Sequence, residues 1–478
     1  EYTQQLTILR EMSVIRRFAV AALCAATAVT ACGEARYIFY FIGDGMGMGH
    51  VNAAETYNRD VLKSGEPMLM LRFPVASQAR TYSANKPITD SAAAGTALST
   101  GNKTVNYRVG MLPDSTDCHS ITRDFMRAGY AVGIATTVAG DDATPAAFYG
   151  HALDRKMSDL LGSQAATSGL TFLGAPAFRC MKKDGKTTQW TQTMERNGYT
   201  VVRGYDQWKR TASLPHGRIL MLADNPQGDQ AGYTIDSIPG ALTAAQLTEA
   251  CLESMTASKA PGFFMMMEGG NIDWAAHAND GGAVIKEVLN FQQAIDVAYR
   301  FYLAHPEETL IVITADHDTG GMALGRSDNR NPELRLADFQ KISKDRFSDY
   351  CRSLLASGKR MDWNEMKIFL QENLGFWGAV KISDKDEERL HADFDKVFVN
   401  REGKDEKGLY NDFNFFAVEV YDIFNRALGI GWTTTNHTGN FVPVYALGEG
   451  SDLFKRNLNN IEIPMLILQA AGIAKTGK

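Results

Sequence analysis

Six apolar runs of strand length set the tightest limit on what this chain can fold into: Tyr37–Ile42, Ala131–Thr136, Ile219–Ala223, Phe263–Met267, Leu310–Thr314 and Val442–Leu447. Most are apolar at successive positions rather than at every second one, so both faces of each strand need cover. Helical patterns lie between them at Ala92–Ser99, Ala152–Leu161, Ala241–Ala257 and Ala283–Leu303. This alternation predicts an α/β fold: a mostly parallel central sheet with helices on both faces. A chain of 478 residues can build it as one large domain. From about Ser327 to Ile430 the composition turns rich in Lys, Arg, Asp and Glu at helical spacing, which reads as a charged helical region inserted into the core. Ligands of such sheets bind beyond the carboxyl ends of the strands.

The first 31 residues do not belong to that fold. Arg16 and Arg17 precede an apolar run, Phe18 to Val29, followed by Val29-Thr30-Ala31-Cys32-Gly33. The run is shorter than the ~20 residues of a spanning helix and matches a signal peptide. Its small residues before Cys32 resemble a bacterial lipobox, which predicts cleavage, lipidation of Cys32, and residues 32–36 as a short linker from a membrane anchor. The alternative is an ordinary signal peptide with a chance cysteine. Export to the periplasm or cell envelope follows in either case. Of six cysteines, Cys118, Cys180, Cys251 and Cys351 remain in the mature chain outside the lipobox, as disulfides or as buried thiols. A net charge of −6 argues against nucleic acid as a partner.

The polar chemistry gathers where the runs end. Ser91 opens the small-residue helix Ser91-Ala92-Ala93-Ala94-Gly95, with no bulky side chain for a full turn. Asp44 sits in Gly43-Asp44-Gly45 after the first strand; Glu268 follows Phe263–Met267; Asp316 and His317 follow Leu310–Thr314. Asp273 and His277 are four apart, on one face of a helical turn. Thr435-Asn436-His437-Thr438-Gly439 adds a third imidazole. His50, His119, His151, His216, His305 and His391 read as core or surface residues. Asp142-Ala143-Thr144-Pro145 pairs a carboxylate with a hydroxyl, and reads equally as a helix N-cap before proline. Arg155, expected on the next helix, offers a guanidinium fork for phosphate oxygens. One hydroxyl at a helix N-terminus beside ligands for several divalent cations describes metal-assisted phosphoryl transfer.

In combination and order these segments resemble the alkaline phosphatase family, over most of the chain from about Tyr37 to Lys478. The resemblance implies a hydrolase of phosphate monoesters. It implies Ser91 as nucleophile and Arg155 as the phosphate-holding residue. A first zinc would take Asp273, His277 and His437, a second Asp44, Asp316 and His317, and a magnesium Asp44, Thr144 and Glu268, with Asp142 reaching the magnesium through water. Trp274 stands where some members carry a Lys or His that touches phosphate through water, so weaker phosphate retention is expected and the third metal site is affected. Family members are often homodimers, though monomers exist. Two rivals stay open: a phosphodiesterase of the same superfamily, and a non-catalytic lipoprotein that binds phosphate or metal.

Overall fold

The computed structural model describes residues 34–210, 217–224, 231–402 and 405–476. The expected signal peptide, Cys32 and His216 lie outside them.

Ten strands form one sheet: β1 (Tyr37–Ile42), β2 (Val75–Arg80), β3 (Ala131–Thr136), β4 (Phe172–Gly174), β5 (Tyr199–Arg203), β6 (Arg218–Leu222), β7 (Phe263–Glu268), β8 (Thr309–Thr314), β9 (Val442–Gly448) and β10 (Leu458–Asn459). Their order is β10-β2-β9-β8-β1-β7-β3-β4-β6-β5. Every neighbouring pair is parallel except the two that involve β9. The helices that bear on the site are α1 (Met48–Asp60), α2 (Ser91–Thr100), α3 (Ala143–Ala146), α4 (Ser158–Thr167), α5 (Ala244–Ala257), α6 (Asn271–His277) and α7 (Gly281–Ala304). The charged stretch adds α8 (Lys344–Ser357), α9 (Trp363–Leu374), α10 (Asp384–Phe394) and α11 (Phe415–Leu428).

The uninterrupted apolar runs are explained by cover on both sides. On one face of the sheet Phe39 and Phe41 meet Phe301 and Phe291 of α7, ring centroids 5.6 and 5.8 Å apart. On the other, Phe264 stacks on Phe125 at 4.8 Å and Tyr40 meets Phe148 at 6.1 Å. Apart from half-buried Tyr37, every residue of β1 and β7 is buried, so nearly all of these positions favour an apolar side chain.

Register then decides where the chemistry goes. Ile42 pairs with both Thr314 and Glu268, and Glu268 with Thr136. Four adjacent parallel strands therefore end level, and the loops after β1, β3, β7 and β8 emerge at one edge. The antiparallel β9 begins at that edge, bringing the preceding His437 with it.

One expected helix is displaced. Ala152 forms an antiparallel bridge with Val109, and the Arg155 N–H is held by the Tyr107 carbonyl at 2.7 Å, so the helix starts only at Ser158. Arg155 stands on the turn before α4, not on a helix. Cys118, Cys180, Cys251 and Cys351 are free, buried thiols. No helix among the described residues is long and apolar enough to cross a membrane.

Candidate active site

The loops at the level edge converge on Ser91. This serine is the first residue of α2, whose N-cap Asp90 accepts the Ala93 N–H at 3.0 Å. The small residues of α2 let α3 approach closely: a Cβ on Gly95 would stand 3.1 Å from the Thr144 Cα. Ser91 Oγ lies 3.2 Å from His317 Nε2. The same nitrogen is 3.2 Å from Asp316 Oδ2 and 3.4 Å from Asp44 Oδ1. Asp316 Oδ1 accepts the N–H of Gly45 at 3.0 Å and of His317 at 2.9 Å, locking the loops after β1 and β8 together. Gly45 has φ of 68°, and a Cβ there would stand 2.7 Å from Asp273 Oδ1, so only glycine fits this turn.

A second group lies alongside. The helical spacing in α6 brings His277 Nε2 to 3.4 Å from Asp273 Oδ1, and His437 Nε2 is 3.8 Å from that oxygen. The Nδ1–H of His277 is given to the Thr435 carbonyl at 2.6 Å and that of His437 to the Thr89 carbonyl at 2.9 Å. A carbonyl only accepts, so both Nε2 atoms present lone pairs to the site, as carbonyl-oriented metal ligands do. These two lone pairs sit 3.0 Å apart, a repulsive arrangement that a cation would relieve. A third group is all oxygen: the Thr144 hydroxyl donates to Asp44 Oδ2 at 3.5 Å, and the Thr136 hydroxyl donates to Glu268.

The carboxylates fit divalent cations by what they lack. Asp44 Oδ1, Glu268 Oε1, Asp273 Oδ2 and Asp316 Oδ2 are buried without a hydrogen-bond partner. Burying such atoms is costly unless a positive charge compensates. Burial first, then the neighbouring carboxylates, pushes Asp44 well above the usual range, Glu268 up to about 8 and Asp316 up to about 7. Burial, then His437 and His277, drives His317 well below the usual imidazole value, which leaves its ring neutral. Asp273, His277 and His437 form one compact set and Asp44, Asp273 and His317 another, each with one ligand atom per residue within 4.8 Å of the others. Imidazole-rich sets suit zinc, and the oxygen set of Asp44, Thr144 and Glu268 suits a harder ion.

Beside these groups is a wall of guanidinium. Asp142 caps α3, accepting the Ala143 N–H at 2.7 Å, so its N-cap role is real. Its remaining lone pairs hold two arginines. Arg155 Nη2 is 3.0 Å from Oδ1, while Arg155 Nη1 reaches Asp90 Oδ2 at 3.5 Å. Arg179 grips Asp142 as a fork, Nη1 to Oδ1 and Nη2 to Oδ2, both 3.0 Å. Burial alone would raise Asp142, but Arg179 and Arg155 overcome it and hold the carboxylate below its ordinary range. Neighbouring Asp141 fixes the backbone of the Arg179 turn, taking the N–H of Arg179 at 2.7 Å and of Cys180 at 2.9 Å. Arg179 has no motif in the sequence that points to it; the adjacent acidic pair Asp141-Asp142 is the only local hint.

The charged stretch also reaches the site. Tyr410 stacks on Trp274, centroids 4.5 Å apart and planes 9° apart, and stands edge-on to His277 at 5.2 Å. These groups surround an open cavity of about 600 Å³ lined by Asp90, Asp142, Arg155, Arg179, His437 and Tyr410 among others.

Comparison with known proteins agrees with this arrangement. The family model described as "Alkaline phosphatase" matches residues 35–171 and 182–473. Alkaline phosphatase 4 of Bacillus subtilis is 28% identical over 460 residues, covering 93% of this chain and 90% of that protein. Alkaline phosphatase of Schizosaccharomyces pombe is 27% identical, covering 90% of this chain and 80% of that protein. The crystal structure of the cold-active alkaline phosphatase from Shewanella sp. superposes with a TM-score of 0.75 at 26% identity, covering 91% of this chain and 99% of that one. With a family match across nearly the whole described chain, this protein is a hydrolase that belongs to the alkaline phosphatase family.

Proposed function

We propose that this protein hydrolyses phosphate monoesters through a covalent phosphoserine at Ser91, assisted by two zinc ions and one magnesium ion. The observation that carries the proposal is the Ser91 hydroxyl at a helix N-terminus, 3.2 Å from a neutral imidazole and surrounded by buried carboxylate oxygens without partners. Asp273, His277 and His437 would hold the first zinc, Asp44, Asp316 and His317 the second, and Asp44, Thr144 and Glu268 the magnesium. Bound there, the cations would supply Lewis acidity, making the serine hydroxyl more acidic and offsetting charge on the departing oxygen.

The chain's own groups do the rest. The N-terminal end of α2 favours negative charge developing on Ser91 Oγ. Arg155, held from behind by Asp90 and Asp142, presents its guanidinium to two non-bridging oxygens of the substrate. Ser91 attacks phosphorus in line with the departing alcohol, and water later attacks the phosphoserine from the opposite side. Two in-line displacements retain configuration at phosphorus. Because transition-state charge is met by groups around the phosphoryl oxygens, the reaction tolerates many leaving groups. Asp142 holds Arg155 in place and would support a magnesium ion through water. The protein acts outside the cytoplasm as a lipoprotein anchored through Cys32.

Ser91→Ala tests the covalent route. The variant is expected to yield no phosphoenzyme on acid quenching and to lose turnover of an aryl phosphate. Full turnover in that variant refutes the mechanism.

A further inference from the structure

Trp274 brings no positive charge to the phosphate site, but another residue rests on its face. The charged stretch pairs Glu406–Lys407 with Asp412–Phe413 in a short antiparallel hairpin. Tyr410 lies in the turn between them and enters the cavity that Arg155 lines. Its ring is flat on Trp274 and edge-on to His277. A void of only about 10 Å³ remains between this turn, Trp274 and His277, so the ring is closely backed. The hairpin is also tied down at its base. The Arg352 guanidinium of α8 donates to the Asp412 carbonyl and faces Asp405 at 3.3 Å. The Lys344 ammonium of α8 stands 4.6 Å from the Phe413 ring centroid and donates to the Ala278 carbonyl at 2.9 Å, just beyond α6. The helix that bears Trp274 and the hairpin that bears Tyr410 therefore share one anchor. None of this needs a hydroxyl, since a phenylalanine would stack as well. The Tyr410 hydroxyl makes no hydrogen bond among the described residues. Its oxygen faces Arg155: burial works against the guanidinium charge, and Tyr410 is the first group that favours it, ahead of Asp142 and Asp90.

We propose that Tyr410 is a further catalytic residue, whose hydroxyl donates a hydrogen bond to a non-bridging oxygen of the phosphoryl group held by Arg155. The inference rests on the phosphomonoesterase reading, with the scissile phosphate on Arg155 and Ser91. Trp274 is then a platform: it sets the ring that makes the contact instead of making one itself. A phenol hydroxyl suits the place because it can donate where Arg155 and the phosphate leave an oxygen lone pair unmet. The stack and the anchored hairpin fix the ring beforehand, so little side-chain freedom is lost when phosphate arrives. A neutral donor also holds a phosphate oxygen less firmly than an ammonium does, so product leaves more readily than it would from a lysine at position 274.

The test measures competitive inhibition by inorganic phosphate and kcat/KM for phenyl phosphate. The metal-replete proteins are the wild type, Tyr410→Phe, Trp274→Ala and the double variant. Tyr410→Phe keeps the stack and removes a hydroxyl that bonds nothing else in the described chain, so the fold loses no contact. Inorganic phosphate has no leaving group, so its inhibition constant reports the phosphoryl contact alone. In Tyr410→Phe that constant should rise about tenfold and kcat/KM should fall about tenfold, the size of one hydrogen bond to a charged group. On the Trp274→Ala background, where the platform is gone, the same substitution should cost much less. An unchanged inhibition constant in Tyr410→Phe overturns the proposal, even where kcat/KM falls, because the ring would then act on the leaving group. An equal loss on both backgrounds overturns the role given to Trp274. Failure of the wild type to hydrolyse phenyl phosphate at all overturns the phosphomonoesterase reading instead.

Discussion

Removing the cations should destabilise this protein more at alkaline than at neutral pH, and the size of the effect can be worked from Glu268. In the metal-free fold burial holds this carboxyl protonated up to about 8, against an ordinary value of 4.5. Between those values the folded chain binds a proton that the unfolded chain has released, so the Glu268 contribution to metal-free stability falls as pH rises and levels off above pH 8. The lowered imidazoles His317 and His437 act in the opposite sense, but only below their ordinary value of 6.5. Glu268 therefore acts apart from the imidazoles between pH 6.5 and 9; Lys103 also titrates there, but equally with and without cations, so it cancels from the difference between the two. Within that window Glu268 titrates over about 1.5 units, and at about 1.4 kcal/mol per unit the loss is about 2 kcal/mol. Asp316, raised to about 7 for the same reasons, acts in the same direction but is coupled to the same cluster and is not added. With cations bound the carboxylates are ionised in both states and their share of the slope vanishes. An unfolding entropy of about 1 kcal/mol per kelvin for a chain of this length converts the difference to about 2 °C. The assay is thermal unfolding with excess zinc and magnesium and with chelator, at pH 6.5 and pH 9. The gap between holo and chelated Tm should widen by about that amount, and Glu268→Gln, which carries no proton to lose, should narrow the widening. A gap independent of pH, or one that Glu268→Gln leaves untouched, refutes the argument that a buried carboxylate cluster is being held for cations.

Two other outcomes follow from single residues. Trp274→Lys places an ammonium beside the phosphate site at the expense of the stack with Tyr410, and should strengthen competitive inhibition by inorganic phosphate several-fold; an unchanged inhibition constant contradicts the role assigned to position 274. Burial lowers the Lys103 ammonium to about 7 from its ordinary 10.5, so the unfolded chain binds more protons between those values and stability should rise from pH 7 to 10. Lys103→Met should flatten that rise in chemical denaturation, and an equal slope in both proteins refutes the assignment.

What could be read from the sequence divides along a physical line. The apolar runs mark β1 and β3 to the residue, because a strand covered on both faces has no position where a polar side chain is free. β2 and β5 carry no such run: only two residues of each are buried and the rest are partly or fully exposed, so Val75–Arg80 and Tyr199–Arg203 look like ordinary loop sequence. Arg155 shows the limit of periodicity. Its neighbours have helical spacing, yet Ala152 is tied to Val109 and the turn stays open, which is what lets the guanidinium reach back to Asp90 and Asp142.

The site divides in the same way. Its carboxylates and imidazoles are legible because each lies within a few residues of a strand end, and the register of β1, β3, β7 and β8 carries those ends to one place. Arg179 and Tyr410 are not legible because no apolar run marks the segments that deliver them; the strand before Arg179, β4, is only three residues long. One is brought by a turn pinned on Asp141, the other by a segment more than 130 residues beyond the Trp274 it covers. Both line the same cavity as His277 and His437, Arg179 through its pairing with Asp142 and Tyr410 through its stack on Trp274. A close packing of ligands around one common group leaves a recognisable pattern in any chain that performs it. The rest of the cavity wall is built by whatever segment the fold carries past, and only the folded chain discloses which segment that is.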